Sequence, residues 1–194
     1  MFTKLLLPLL LVALCATAAV ARDKGATTPG TYPDWNGDID EVTVVQPFQS
    51  AAYNEIRVET FDVSGVKLPP PQDNTFAAVQ SALRMVKAAF IDGLESNLRQ
   101  TRANPGHGKL IIRARVLKAD PGSQAARYWG GFGAGAVKIA IAGEVVDAAT
   151  NKTLVRFKQE RRSGFGAFGG GYSELFVRTA RQIGGDIASL VNAF

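Results

Sequence analysis

Apolar and polar positions leave the beginning of the chain without sustained periodicity and pattern the remainder tightly. From Glu55 to Phe61, "EIRVETF" alternates as a half-buried strand does. Three consecutive prolines, Pro69 to Pro71, then exclude helix by removing donors and fixing φ. Beyond them Phe76, Val79, Leu83, Val86, Phe90, Leu94 and Leu98 recur at steps of three and four, which predicts one long helix capped by Asn74 or Thr75. "NPGHG" ends it.

Three further strands follow. "KLIIRARVLKA" buries Leu110, Ile112, Ala114 and Val116, "VKIAIAGEVVD" buries Val137, Ile139, Ile141, Gly143 and Val145, and "TLVRFKQER" buries Val155 and Phe157. The last two are joined by "AATNK", a loop of hairpin length. If their buried sets share a face, Val145 pairs with Val155 or Thr153, and Val137 lies beside Arg161 or Ser163. A second helix from about Ser173, with Ser173 as cap, carries Phe176, Ala180, Ile183, Ile187, Leu190 and Phe194 on one face.

The order β-α-β-β-β-α predicts an α+β domain over residues 55–194, a mostly antiparallel sheet with both helices on one face. Residues 22–54, rich in Gly, Pro, Thr and Asp, are expected as an extended arm in which only "EVTVVQPF" could pair as a strand.

With helices on one side, the other side of the sheet is wet or covered by a partner. Alternation places Arg57, Glu59, Arg113, Arg115, Lys138, Glu144, Arg156, Lys158, Glu160 and Arg162 there, a face positive by four charges. Long basic side chains also line ordinary solvated strands. The functional alternative is docking of an acidic partner or an anionic envelope polymer.

The first residues bear on compartment. Lys4, the apolar run "LLLPLLLVAL" and the small-x-small site Ala19-Val20-Ala21 form a secretory signal peptide, residues 1–21. Cys15 could head a lipoprotein signal, but Leu14 stands before it where a small residue is the rule. Cleavage after Ala21 leaves no cysteine, hence no disulfide and no thiol chemistry. The formal charge of +5 drops to +4 with the loss of Lys4, too small and scattered an excess to indicate nucleic acid.

The segments "KLIIRARVLKADPGS", "ARYWGGFGAGAVKIAI" and "GEVVDAATNKTLVRF" resemble the bacterial secreted and lipoprotein family known as domain of unknown function 4410. The resemblance runs from Glu55 to Phe194 and is strongest from Leu110 to Phe157. It implies an envelope location and an α+β fold beside outer-membrane machinery, and it carries over no catalytic residue.

Two loops repeat Gly-Phe-Gly-Ala, at Gly131 and at Gly164. The first precedes a strand where a dinucleotide fingerprint needs a helix, and neither has the Gly-Lys-Ser/Thr of a phosphate loop. The second enters the last helix with Arg161 and Arg162 upstream, a weak anion candidate. The hairpin register sets both loops at one end of the sheet, gathering Tyr128, Trp129, Phe132, Phe165, Phe168 and Tyr172. Those rings either dock a partner or fold back to close the core.

Catalytic constellations fail. His107 has no second histidine or cysteine for a metal and no nucleophile partner. Asp34, Asn36, Asp38 and Asp40 have calcium-loop spacing, but Gly37 comes two places early and Val45 stands where the bidentate glutamate belongs. No cofactor or metal is expected. The expectation is a non-enzymatic, periplasmic binding or assembly domain with an envelope protein partner, self-association or an outer-membrane surface as its target. A hydrolase or transferase acting on envelope material is the alternative.

Overall fold

The computed structural model describes residues 28–98, 106–122, 136–163 and 171–194. Six strands form one sheet: β1 (Gly30–Trp35), β2 (Ile39–Val44), β3 (Tyr53–Asp62), β4 (Gly108–Asp120), β5 (Val137–Asp147) and β6 (Lys152–Ser163). Their order is β1-β2-β6-β5-β4-β3. Every pairing is antiparallel except β3 with β4. That parallel pair is joined through helix α1 (Phe76–Asn97), because a parallel connection must cross over the sheet. Helix α2 (Tyr172–Asn192) follows β6. The fold is α+β.

The register of the central hairpin is the expected one. Val145 pairs with Val155 and Val137 with Ser163. At the turn, the Asp147 carboxylate accepts the Thr150 N–H at 2.8 Å, and Asn151 adopts a left-handed φ of 56°. Odd-numbered residues of β5 therefore join Leu110, Ile112, Ala114 and Val116 of β4 on the core face. At Leu117 a bulge shifts the register, so Ala119 instead of Lys118 points into the core.

Residues 22–54 are not an arm throughout. Gly30–Trp35 and Ile39–Val44 pair as a hairpin, and β2 extends the sheet along β6 through Glu41↔Lys158 to Val44↔Val155. The turn has φ of 55° at Asn36 and 76° at Gly37, and the Asp38 N–H meets the Trp35 carbonyl at 3.1 Å. Both central residues being left-handed matches the twist of the flanking strands, which is why Asn-Gly serves here. Pro33 is tolerated because β1 is an edge.

The helices pack together on the core face. Phe90 and Phe176 are fully buried, and Phe90 meets Phe61 with ring centroids 5.2 Å apart. The stripe of α1 is buried at Val79, Leu83, Val86, Phe90 and Leu94, that of α2 at Phe176, Ala180, Ile183, Ile187 and Leu190. The caps differ from expectation. Thr75 does hold the cap position before Phe76, but with helical φ and ψ, and its hydroxyl donates back to Asp73 Oδ1 at 2.6 Å and makes no capping hydrogen bond. Gly171, not Ser173, precedes α2. Ser173 lies inside the first turn, with its hydroxyl 3.5 Å from the Ala78 carbonyl of α1.

Candidate docking surface on the open sheet face

Strand pairing builds two rows of side chains across the face opposite the helices. Thr60, Arg113, Glu144, Arg156 and Thr43 are successive partners from β3 to β2. One step along each strand that keeps the same face, Asp62, Arg115, Ala142, Lys158 and Glu41 are successive partners too. Together they line an open groove of about 640 Å³, with Leu117 on its rim, 39% exposed.

In the first row Arg113 is neutralised by neighbouring carboxylates. Arg113 Nε donates to Glu59 Oε2 at 2.6 Å, its Nη2 donates to Asn151 Oδ1 at 2.8 Å, and its Nη1 lies 3.7 Å from Glu144 Oε1. The Glu59 hydrogen bond comes first among the causes that raise the Arg113 pKa. Glu144 is held in turn by the Thr153 hydroxyl at 2.7 Å. Such a network fixes Arg113 in place, so this arginine is structural more than available.

The other three cations of the groove, Arg156 in the same row and Arg115 and Lys158 in the second, are different. Arg115, Arg156 and Lys158 are exposed and make no hydrogen bond or ion pair among the described residues. Asp62 is oriented by its own turn, where the Ser64 N–H holds its carboxyl below the usual range and Arg115 adds to that effect. The groove carries four cationic side chains and three carboxylates, Glu41, Asp62 and Glu144. Its surplus is therefore local, around Arg115, Arg156 and Lys158. Alternation found those three but could not show that β2 and the end of β3 add carboxylates at both margins, because that depends on strand order.

The remaining expected site residues fall elsewhere. Arg57 and Arg162 lie on β3 and β6, farther along strands that build the groove, but do not line it, and Arg162 meets Glu160 at 3.3 Å. Trp129, Phe132, Phe165 and Phe168 lie outside the described residues, as do Tyr128, both Gly-Phe-Gly-Ala loops and residues 1–21. Tyr172, half-buried, packs against the core. Val137 and Ser163 do emerge side by side, so the chain leaves toward both loops from one end of the sheet.

His107 is exposed and does not line the groove. The acidic turn of the β1–β2 hairpin is directed at β6: Asp38 meets Arg161 at 3.4 Å, and Asp40 accepts the Glu160 N–H. Among the described residues no group of three or more His, Cys, Asp or Glu side chains could hold a metal. A polar cluster missed by strand alternation lies on the core side. Gln159, fully buried, donates to the Asp38 carbonyl at 2.9 Å and to Asp186 of α2, which also pairs with Arg161. Burial pushes the Asp186 carboxyl up, opposed by those two donors.

The family model for a domain of unknown function, DUF4410, matches residues 56–167, more than half the chain. The chain belongs to the DUF4410 family. The match spans β4, β5 and β6 of this DUF4410 protein and therefore most of its groove, while the β1–β2 hairpin, with Glu41 and Thr43 at the groove margin, and α2 lie outside it. No curated protein matches the chain. PelC of Paraburkholderia phytofirmans, solved as a dodecamer, is similar at 11% identity over 74% of this chain and 93% of its own, with a TM-score of 0.40. A DUF330 protein of Xanthomonas campestris is similar at 14% identity over 69% of this chain and 80% of its own, with a TM-score of 0.37. A candidate lipoprotein of Caulobacter crescentus has 12% identity over 73% and 94%, with a TM-score of 0.31. Among the described residues of the DUF4410 protein, no helix is long and apolar enough to cross a membrane.

Proposed function

We propose that this DUF4410 protein is a non-enzymatic binding domain of the bacterial cell envelope that docks an anionic partner on the open face of its sheet. The observation that carries this reading is the groove, where Arg115, Arg156 and Lys158 stand exposed and without an ion pair among the described residues while Arg113 beside them is satisfied. Exposed cations of this kind steer an acidic surface and fix its register. The signal peptide read in residues 1–21 supports the envelope location.

The same groove gives little support to acid–base catalysis. Its Asp62 carboxyl is held below the usual range, whereas a general acid at neutral pH needs the opposite shift. The carboxyl that burial does push up, Asp186, is engaged by Gln159 and Arg161 on the core side.

Crosslinking in envelope extracts tests the reading. Tagged chain is expected to capture an acidic partner that Arg115→Glu, Arg156→Glu and Lys158→Glu together abolish, with the melting temperature kept. Recovery of free monomer alone, or capture undiminished by the charge reversals, refutes it.

A further inference from the structure

The two rows of the open face have the same geometry but differ at their centre. In one, the β5 position between Arg113 and Arg156 is Glu144, so the chain itself supplies a carboxylate between two cations. In the other, the β5 position between Arg115 and Lys158 is Ala142, a methyl group. The flanking strands lie about 10 Å apart, twice the ordinary strand spacing, a gap two long side chains can close around one anion but cannot fill themselves. We propose that Arg115, Ala142 and Lys158 form a seat for a single carboxylate side chain of an acidic partner segment, which occupies the place that Glu144 takes one row away.

This inference rests on the docking reading of the same face and names its anchor. Charge selects the class of ligand. Asp62 and Glu41 lie at the outer ends of the Ala142 row, so from β3 to β2 it reads negative, positive, neutral, positive, negative. A uniformly charged polymer laid across it meets repulsion at both margins. An isolated Glu or Asp between neutral residues does not. The lining favours a peptide over a sugar acid as well. Its aromatic side chain, Phe157, is buried with its ring over Gly143 on the core side, which leaves no ring among the described lining residues for a sugar to stack on, whereas Leu117 offers an apolar contact at the rim.

The test is an NMR titration of the isotope-labelled full chain at low ionic strength. The probe is a blocked peptide of sequence Ser-Leu-Glu-Ser-Thr, with the Gln counterpart as control. The Glu peptide is expected to shift the Ala142 amide and the Gln peptide not to. Ala142→Glu, which fills the seat with the chain's own carboxylate, is expected to weaken binding, and Glu144→Ala, which opens a second seat, to strengthen it. Each change should be roughly five- to tenfold, the effect of one screened ion pair or a little more.

Ala142→Glu that binds as well as the parent, while reversal of Arg115, Arg156 and Lys158 abolishes binding, overturns the seat and leaves the docking face standing. No preference for the Glu peptide over the Gln peptide in the parent overturns both. Tighter binding of an oligogalacturonate than of the peptide overturns the peptide occupant. Should Ala142→Glu not fold, the Glu144→Ala variant decides alone, since unchanged affinity there contradicts the equivalence of the two rows.

Discussion

Gly184 of α2 lies against the Phe90 carbonyl of α1 so closely that a β-carbon at Gly184 would overlap it. The contact is reciprocated by Gly93, whose β-carbon would overlap the Arg181 carbonyl. Backbone meets backbone on both sides, so no rotamer change can make room. Gly184→Ala and Gly93→Ala are each expected to cost about 2–3 kcal/mol through overpacking, against a small gain in helix propensity. Urea unfolding checks this, and a loss under 0.5 kcal/mol, within the range of ordinary surface substitutions, would show that the helices can separate at no real cost.

Tyr53 and Asp147 tie the start of β3 to the end of β5 through a hydrogen bond of 2.9 Å. The Thr150 N–H and then the Tyr53 hydroxyl hold the Asp147 carboxyl below its usual range. A lowered carboxylate pKa stabilises the fold above the ordinary aspartate value, and that stability disappears as pH falls through the lowered one. Asp147→Asn should therefore flatten the acid limb of a stability-versus-pH curve. Parallel acid limbs for parent and variant refute the link.

Burial and then Asp147 push the Tyr53 hydroxyl up to about 12. A raised tyrosine pKa contributes stability below the ordinary value near 10, lost as pH rises through the raised one. Ultraviolet titration should show one tyrosine ionising late, and Tyr53→Phe should remove that late step while costing about 1 kcal/mol at neutral pH. A single tyrosine transition at the ordinary value in the parent contradicts this.

Arg161 and Asp186 join β6 to α2, and Gln159 and Asp38 complete the cluster. Removing one partner leaves the other partly buried without its countercharge, so Arg161→Ala and Asp186→Ala should each cost about 2 kcal/mol or more. The double variant should cost clearly less than the two together. Additive losses show that the pair is not coupled. Because Asp186 is raised, its contribution is present below the ordinary aspartate value and fades as pH rises through the raised one, opposite in sign to Asp147.

What could be read from the chain depended on where each element's information lies. The β5–β6 register followed from local alternation and a short loop, and Val145↔Val155 is the pairing that alternation allows. The β1–β2 hairpin did not, because β1 is an edge strand that buries Trp35 alone, and apolar alternation is the signal it lacks. Asn36-Gly37 was the available clue, a turn pair that favours two left-handed residues. The cations of the open face were legible from parity. The Ala142 seat was not, since an alanine in a strand signals nothing until Arg115 and Lys158 are known to flank it.

The hairpin is held from the other end of the chain. Phe194 stacks on Trp35 at 6.1 Å and 7°, and on Phe48 at 4.7 Å and 15°, so one ring joins β1, the segment before β3 and the residues after α2. Tyr32 extends the stack by an edge contact with Trp35 at 5.6 Å. Each aromatic pair adds about 1 kcal/mol beyond its buried area, so Phe194→Ala should lower stability by roughly 2–3 kcal/mol. The loss should be uneven. Amides of Val42 and Val44 in β2 should exchange with solvent faster, while those of Ile112 and Val145 in the sheet centre keep their protection up to global unfolding. Equal loss of protection at all four would mean that the hairpin and the central strands unfold as one unit and that Phe194 supports the whole sheet. Acceleration confined to β2 identifies the hairpin as a separately opening element latched by the last ring, next to Glu41 at the margin of the groove.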